Sequence, residues 1–240
     1  MTLKAVLFDF NGVIINDEPL HRELINEILI AENLRFNPAE YQQFCLGRSD
    51  RACLGDLLAN RGRIVSDSYL TQLISRKAQA YAQKLESVEK LPIYPGLDDL
   101  IFKIRAAQVK IAVVSGALRS EVELVLNRAK LAQYFSAIVG GDDITASKPE
   151  PEGYLLAVER LNHQYPSLNL KPSECLAIED TLVGIQAAKR AGVKVVGVAH
   201  TYPFHMLQRW ANWAVDYLYD LEIERVQQVF SRTAPPQPVK

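Results

Sequence analysis

The sequence predicts an α/β fold: a Rossmann-like core of parallel strands with an all-helical segment inserted after the first strand. Three observations predict it. Residues Lys4 to Phe8 form a short apolar run that ends in Asp9-Phe10-Asn11-Gly12. Such a run, of about 4–8 residues, reads as a strand buried on both faces. From Pro19 to about Glu86 the apolar residues recur only at helical spacing, and from Lys110 onward short apolar runs alternate with helical stripes. Alternation of that kind means a parallel sheet with right-handed crossovers.

The elements follow in order. Leu20, Leu24, Ile25, Ile28 and Leu29 mark one helical stripe, and Phe44, Leu54, Leu57 and Leu58 mark shorter pieces. Leu70, Leu73, Ile74, Ala78 and Tyr81 mark a longer helix, with Gly47, Gly55 and Gly62 as punctuation. Nothing in this stretch reads as a strand, so it is a helical lobe, 17–91, between core segments 1–16 and 92–232. The linker Leu91-Pro92-Ile93-Tyr94-Pro95-Gly96 leads back, stiffened by its two prolines. Strands are predicted at Lys110–Ser115, Ala137–Gly140, Cys175–Glu179 and Lys194–Val198, and helices at Arg119–Lys130, Glu152–Asn162 and Leu182–Ala191. Thr181 is the expected N-cap of the last of these helices and Gly192 its stop. Tyr217 to Phe230 closes the fold, and the proline-rich tail 233–240 is expected to be mobile.

The chain has 240 residues, enough for a core and an inserted lobe, and 48% hydrophobic content supports a sizeable interior. A net charge of −1 leaves no electrostatic footprint for nucleic acid or an anionic membrane. No apolar run reaches the ~18 residues of a membrane helix, and no leader pattern precedes the first strand. Cys45, Cys53 and Cys175 are too few for a disulfide framework. They read as reduced thiols of a cytoplasmic protein. A monomer or weak dimer is expected.

Ligands of open α/β sheets sit beyond the carboxyl ends of the strands. Four predicted strand ends carry polar residues: Asp9 and Asn11; Ser115 and Gly116; Lys148 after the third strand; Glu179 and Asp180. Asp9 and Asp180 offer hard oxygen ligands suited to Mg²⁺. Ser115, Lys148 and loop N–H groups are donors suited to phosphate oxygens. A carboxylate nucleophile held there, facing a phosphate, would become an aspartyl-phosphate.

These residues resemble the haloacid dehalogenase superfamily, in its phosphatase and β-phosphoglucomutase-like branch with a helical cap after the first strand. The matching motifs are Asp9-Phe10-Asn11-Gly12-Val13, Asn16-Asp17-Glu18-Pro19-Leu20-His21, Val113-Val114-Ser115-Gly116, Ser147-Lys148-Pro149-Glu150-Pro151 and Glu179-Asp180-Thr181-Leu182-Val183-Gly184. The resemblance implies a nucleophilic Asp9. It also implies Mg²⁺ held by Asp9, the Asn11 carbonyl and Asp180 with Glu179 in support, and phosphate gripped by Ser115, Gly116 and Lys148. Lys148 would also offset the carboxylates, which otherwise raise one another's pKa. His21 is the candidate at the cap hinge. Arg48 and Arg51, in Leu46-Gly47-Arg48-Ser49-Asp50-Arg51, are candidates to meet a second anionic group of a small phosphorylated metabolite. A surface ion pair is the other reading of either arginine.

The family's second aspartate is Asn11 here, and an amide carries no titratable proton. General acid–base catalysis contributes about 10²–10⁴-fold, so a deficit of that size is expected unless another group, His21 being the candidate, takes over. A Mg²⁺-dependent phosphatase leads. The alternatives are a sugar phosphomutase, which Asp50 after Ser49 disfavours; a dehalogenase, which the Glu179-Asp180 pair disfavours; and a phosphate-binding regulatory protein.

Overall fold

The computed structural model describes residues 2–232. Its centre is a six-stranded, all-parallel sheet built from β1 (Ala5–Phe8), β2 (Lys110–Val114), β3 (Ala137–Val139), β4 (Cys175–Glu179), β5 (Lys194–Val198) and β6 (Trp213–Val215). The order is β3-β2-β1-β4-β5-β6. The chain runs outward from β1 to β3, then crosses back to place β4 on the other side of β1. That reversal opens a crevice at the carboxyl ends of β1 and β4, where ligands of such sheets bind.

Alternation along the strands sorts the core into two layers, as the two-residue period requires. Val6, Phe8, Ile111, Val113, Leu176 and Ile178 face one side, under α5 (Leu97–Ala106), α6 (Arg119–Arg128) and α10 (Ile223–Arg232). Ala5, Leu7, Ala112, Val114, Ala177 and Val195 face the other, under α7 (Glu152–Gln164) and α8 (Leu182–Arg190). The four-residue helix α9 (Phe204–Leu207) adds Leu207 to this second layer.

The insert is four helices: α1 (Glu18–Ala31), α2 (Pro38–Phe44), α3 (Asp50–Asn60) and α4 (Asp67–Glu86). It has an apolar cluster of its own, including Ile25, Ile28, Tyr41, Leu54, Leu58, Leu70 and Ile74. The two linkers joining it to the sheet run side by side. Asn16 N donates to Pro92 O at 2.8 Å and Tyr94 N to Ile14 O at 3.0 Å.

Several expectations change. Cys45 and Cys53 form a disulfide, tying the end of α2 to α3, so only Cys175 is a free thiol, and it is buried. Gly55 does not punctuate the lobe but lies inside α3, where a Cβ would meet only Leu70 at 3.8 Å. Helix α5 and the edge elements α9 and β6 were not predicted. The proline-rich tail lies outside the described residues.

Candidate active site

Asp9 stands directly after β1, buried, with its Oδ1 accepting the Phe10 N–H at 2.7 Å. Glu179 ends β4 and Asp180 follows it, both buried. Pairing of β1 with β4 sets Phe8 against Ile178, so the next residues of the two strands emerge together. Ligand oxygens of Asp9, Glu179 and Asp180 lie within 4.8 Å of one another. Lys148 reaches into the cluster, its Nζ 2.9 Å from Asp9 Oδ1 and 2.7 Å from Glu179 Oε1. Burial works against the Lys148 charge, but Asp9 and Glu179 overcome it and hold the ammonium on.

One lysine does not balance three carboxylates. Burial, then repulsion from Glu179, lifts Asp9 to about 7 despite Lys148. Burial and its two acidic neighbours push Asp180 well above the usual carboxylate range. Asp180 Oδ1 is buried with no hydrogen-bond partner, and its Oδ2 accepts from the Thr201 hydroxyl. Carboxylates crowded in this way, one oxygen unpartnered, fit a divalent cation with hard oxygen preference, and Mg²⁺ matches that donor set.

Gly12 makes the close approach possible. Its φ is +78°, and a Cβ there would fall 1.9 Å from Asp180 Oδ2, so both backbone conformation and space exclude a side chain. Across the site, Ser115 sits buried at the tip of β2 with its Oγ accepting from Ala117 N at 2.9 Å. Its own hydroxyl hydrogen is thereby left for another acceptor. A Cβ on Gly116 would lie 2.7 Å from the backbone of Arg48. The loop between α2 and α3 therefore rests directly on the β2 tip, and Ser49 N donates to Ser147 Oγ at 2.8 Å across the same seam.

Asn11 is not isolated. Its Nδ2 donates to both oxygens of Asp17, at 3.0 and 3.1 Å, and lies 3.0 Å from His21 Nε2. Asp17 is buried and also accepts from Tyr81 Oη at 2.5 Å, with His21 Nε2 3.3 Å away. Burial would raise Asp17, but His21, Asn11 and Tyr81 outweigh it and hold it ionised below its ordinary value. His21 shifts upward: burial and Lys77 oppose its charge, and Asp17 prevails.

Together these residues wall a cavity of about 40 Å³ between the sheet edge and the helical insert, lined among others by Asp9, Asn11, His21, Arg48, Gly116 and Asp180. Of the sequence candidates, Asp9, Asn11, His21, Arg48, Ser115, Gly116, Lys148, Glu179 and Asp180 gather here. Arg51 does not; its guanidinium bonds Thr71 Oγ1 at 2.8 Å on the lobe surface. Three contributors escaped the sequence reading. Tyr154 donates to Glu179 at 2.5 Å, Thr201 holds Asp180, and His200 donates from Nδ1 to Gly12 O at 2.7 Å while stacking on Tyr94. His200-Thr201 stands one residue beyond the end of β5, a strand end that the rule applied to the other strands also covers.

Residues 3–192 match the family model for haloacid dehalogenase-like hydrolases. The chain is 28% identical over 201 residues to the protein CbbY of Rhodobacter capsulatus, covering 82% of this chain and 85% of that one. It is 26% identical to a phosphorylated carbohydrates phosphatase of Thermotoga maritima, covering 83% and 87%. Among solved structures, β-phosphoglucomutase from Clostridium difficile superimposes with a TM-score of 0.83 over 96% of this chain and 98% of that chain, at 23% identity, a likeness of fold. No described helix is long and apolar enough to cross a membrane.

Proposed function

This chain belongs to the haloacid dehalogenase-like hydrolase family, and we propose that it is a Mg²⁺-dependent phosphatase of small phosphomonoesters that works through a phosphorylated Asp9. One observation carries the reading. At the switch point of the sheet, three buried carboxylates converge within 4.8 Å of one another around Lys148, with Asp180 Oδ1 unpartnered.

Asp9, the Asn11 carbonyl and Asp180 would hold the cation, with Glu179 beside them. Bound there, Mg²⁺ supplies charge that keeps Asp9 ionised and screens the approaching phosphoryl oxygens. A carboxylate oxygen of Asp9 attacks phosphorus, and the bond to the leaving oxygen breaks. Lys148, the Ser115 hydroxyl and the Gly116 N–H stabilise the charge that builds on the transferring group. Water then attacks the phosphorus of the phospho-aspartate, releasing phosphate and free Asp9. To His21, whose Nε2 lies 3.3 Å from Asp17 and 3.0 Å from Asn11, we assign the protonation of the leaving oxygen and the removal of a proton from that water, the two tasks Asn11 cannot perform.

A cavity of about 40 Å³ holds a few waters and no sugar phosphate. Substrate therefore enters when the insert swings on its paired linkers, and closure expels bulk water.

The test is phosphate release from p-nitrophenyl phosphate and sugar phosphates with Mg²⁺ or with chelator. Metal-stimulated release that disappears in Asp9→Asn is expected. Release that persists in Asp9→Asn, or that ignores the metal, would falsify the reading. Bisphosphate-dependent isomerisation without net release would replace it with a mutase.

A further inference from the structure

The loops after β1 and β4 meet at Gly12 and Asp180, and a third segment grips both. His200 Nδ1 donates to Gly12 O at 2.7 Å, and the next residue, Thr201, donates its hydroxyl to Asp180 Oδ2. No step of the reaction proposed above uses the imidazole or this hydroxyl. Both residues are half-buried. Their backbone rests on the sheet: Ala199 N donates to Val215 O of β6 at 2.9 Å, and His200 N to Val198 O of β5 at 2.8 Å. The ring is held as well, stacked on Tyr94 with centroids 3.7 Å apart and planes 5° from parallel. Tyr94 is tied in turn to the loop after β1, its N–H donating to Ile14 O at 3.0 Å. Gly12 O can only accept, which fixes the ring proton on Nδ1.

The two places gripped are those where the ligand set has most freedom to lose. Glycine restricts its backbone less than any other residue, and Gly12 sits at φ +78°. The Asn11 carbonyl and the Gly12 N–H belong to one rigid peptide plane. Gly12 N holds that plane by donating to Ile15 O at 2.9 Å. His200 holds the plane on the other side of Gly12. With both planes fixed, the Asn11 carbonyl keeps one direction. Asp180 presents the complementary problem, a carboxylate with two equivalent oxygens. Thr201 occupies Oδ2, and Oδ1 is the buried oxygen left without a partner. The hydroxyl thereby selects which oxygen is offered to a cation.

We propose that His200 and Thr201 are positioning residues of the Mg²⁺ site: His200 sets the Asn11–Gly12 backbone, Thr201 sets the orientation of Asp180, and the ion meets preformed ligands. This rests on the metal site of the phosphatase reading and adds two residues that act through its ligands. Groups that orient metal ligands contribute about 10–100-fold to metal affinity.

The experiment titrates Mg²⁺ calorimetrically into the substrate-free protein at pH 8, with the metal-free thermal transition of each variant as the control for folding. His200→Phe keeps an aromatic ring on Tyr94 and removes the donor. His200→Asn puts an amide nitrogen where Nδ1 stands and removes the ring. Thr201→Val keeps the branched shape without the hydroxyl, and Thr201→Ser keeps the hydroxyl. His200→Phe and Thr201→Val are each expected to weaken Mg²⁺ binding by about 10-fold or more, and His200→Asn and Thr201→Ser to bind close to wild type. Wild-type affinity in either His200→Phe or Thr201→Val overturns the proposal. So does equal weakening in the Asn and Ser variants, which would make packing the cause instead of the hydrogen bonds. Should His200→Phe or Thr201→Val not fold, His200→Leu and Thr201→Ala remove the same donors. Asp180→Asn separates this inference from the reading beneath it. If Asp180→Asn binds Mg²⁺ as wild type does, or if wild type binds none, the metal site fails and the inference with it. If Asp180→Asn loses the ion while the Phe and Val variants keep it, the inference alone fails. If those variants weaken binding as expected and no phosphate ester is hydrolysed, the phosphatase reading fails and the inference stands.

Discussion

Asn11 changes its meaning once its neighbours are seen. The amide donates to Asp17, so a carboxylate lies one hydrogen bond from the place where the family's motif puts its own. Asp17 does not line the cavity, whereas His21 does. In the proposed reaction His21 therefore takes the proton-handling role, with Asp17 beside its ring to orient it and favour its charge. Replacing His21 by Gln is expected to lower kcat by about 10²–10⁴ for alkyl phosphates and far less for p-nitrophenyl phosphate, whose leaving group needs little protonation. Equal losses on both esters would show that His21 serves position or folding instead. Asn11→Asp sets a second carboxylate about one hydrogen bond from Asp17, and like charges so close raise the new group's pKa. That variant is expected to gain activity chiefly on the acid side of the pH–rate profile; a gain that grows toward high pH would contradict the repulsion. From the sequence, Asn11 reads as a defect and His21 as the candidate to make it good, with no contact between the two to join them. Their contact depends on how α1 leaves the β1 loop, which no spacing rule gives.

At the scale of elements, what could be read depended on period and length. Helix α5 is legible: Leu97, Leu100, Ile101 and Ile104 repeat at helical spacing and all are buried, directly behind a linker stiffened by two prolines. Strand β6, three half-buried residues at the sheet edge, follows only the four-residue α9, so no helical stripe announces it as one announces β3. The Cys45–Cys53 pair was hidden for another reason. Eight positions apart, the two thiols meet because Gly47 takes φ +73° and the loop folds back on itself. Closing so short a loop is worth about 2–3 kcal/mol in the chain-entropy account, and the closed loop carries Arg48 and rests on Gly116. Reductant, or Cys53→Ser, is expected to lower the melting temperature by about 5 °C; an unchanged calorimetric transition would show that the bridge adds nothing to the fold. Gly55, inside α3 with ordinary room for a methyl group, gives the opposite sign. Gly55→Ala is expected to stabilise by about 0.5–1 kcal/mol in denaturant unfolding, and destabilisation would mean that Leu70 cannot give way.

On the scale of the whole molecule, the site exists because a parallel sheet delivers all its strand ends to one edge. That rule made Asp9, Ser115, Lys148, Glu179 and Asp180 readable together from sequence. The rest was less legible: caps, seams and the β5 loop add Thr201 and His200 through contacts between distant segments. The convergence has a thermodynamic consequence. Asp9, an ordinary carboxyl of pKa 3.8 when unfolded, is lifted to about 7 in the fold, first by burial and then by Glu179, and Asp180 is raised too. A group with a raised folded pKa binds more protons in the native state. Its contribution to stability is therefore present below the unfolded pKa and is lost as pH climbs through the folded one. Without metal, the sheet edge becomes self-repelling above about pH 7, with Lys148 as the cation inside the cluster. A divalent cation that binds the ionised carboxylates of the native state, and not the unfolded chain, stabilises by mass action, and at low pH it must first displace protons. The rise in melting temperature on adding Mg²⁺ is thus expected to be larger at pH 8 than at pH 5.5, and to be sharply reduced in Asp180→Asn, which removes a charge without emptying the space. Differential scanning fluorimetry at the two pH values measures it. A shift independent of pH, or undiminished in Asp180→Asn, would mean that the ion binds elsewhere and that the converging carboxylates are not its site.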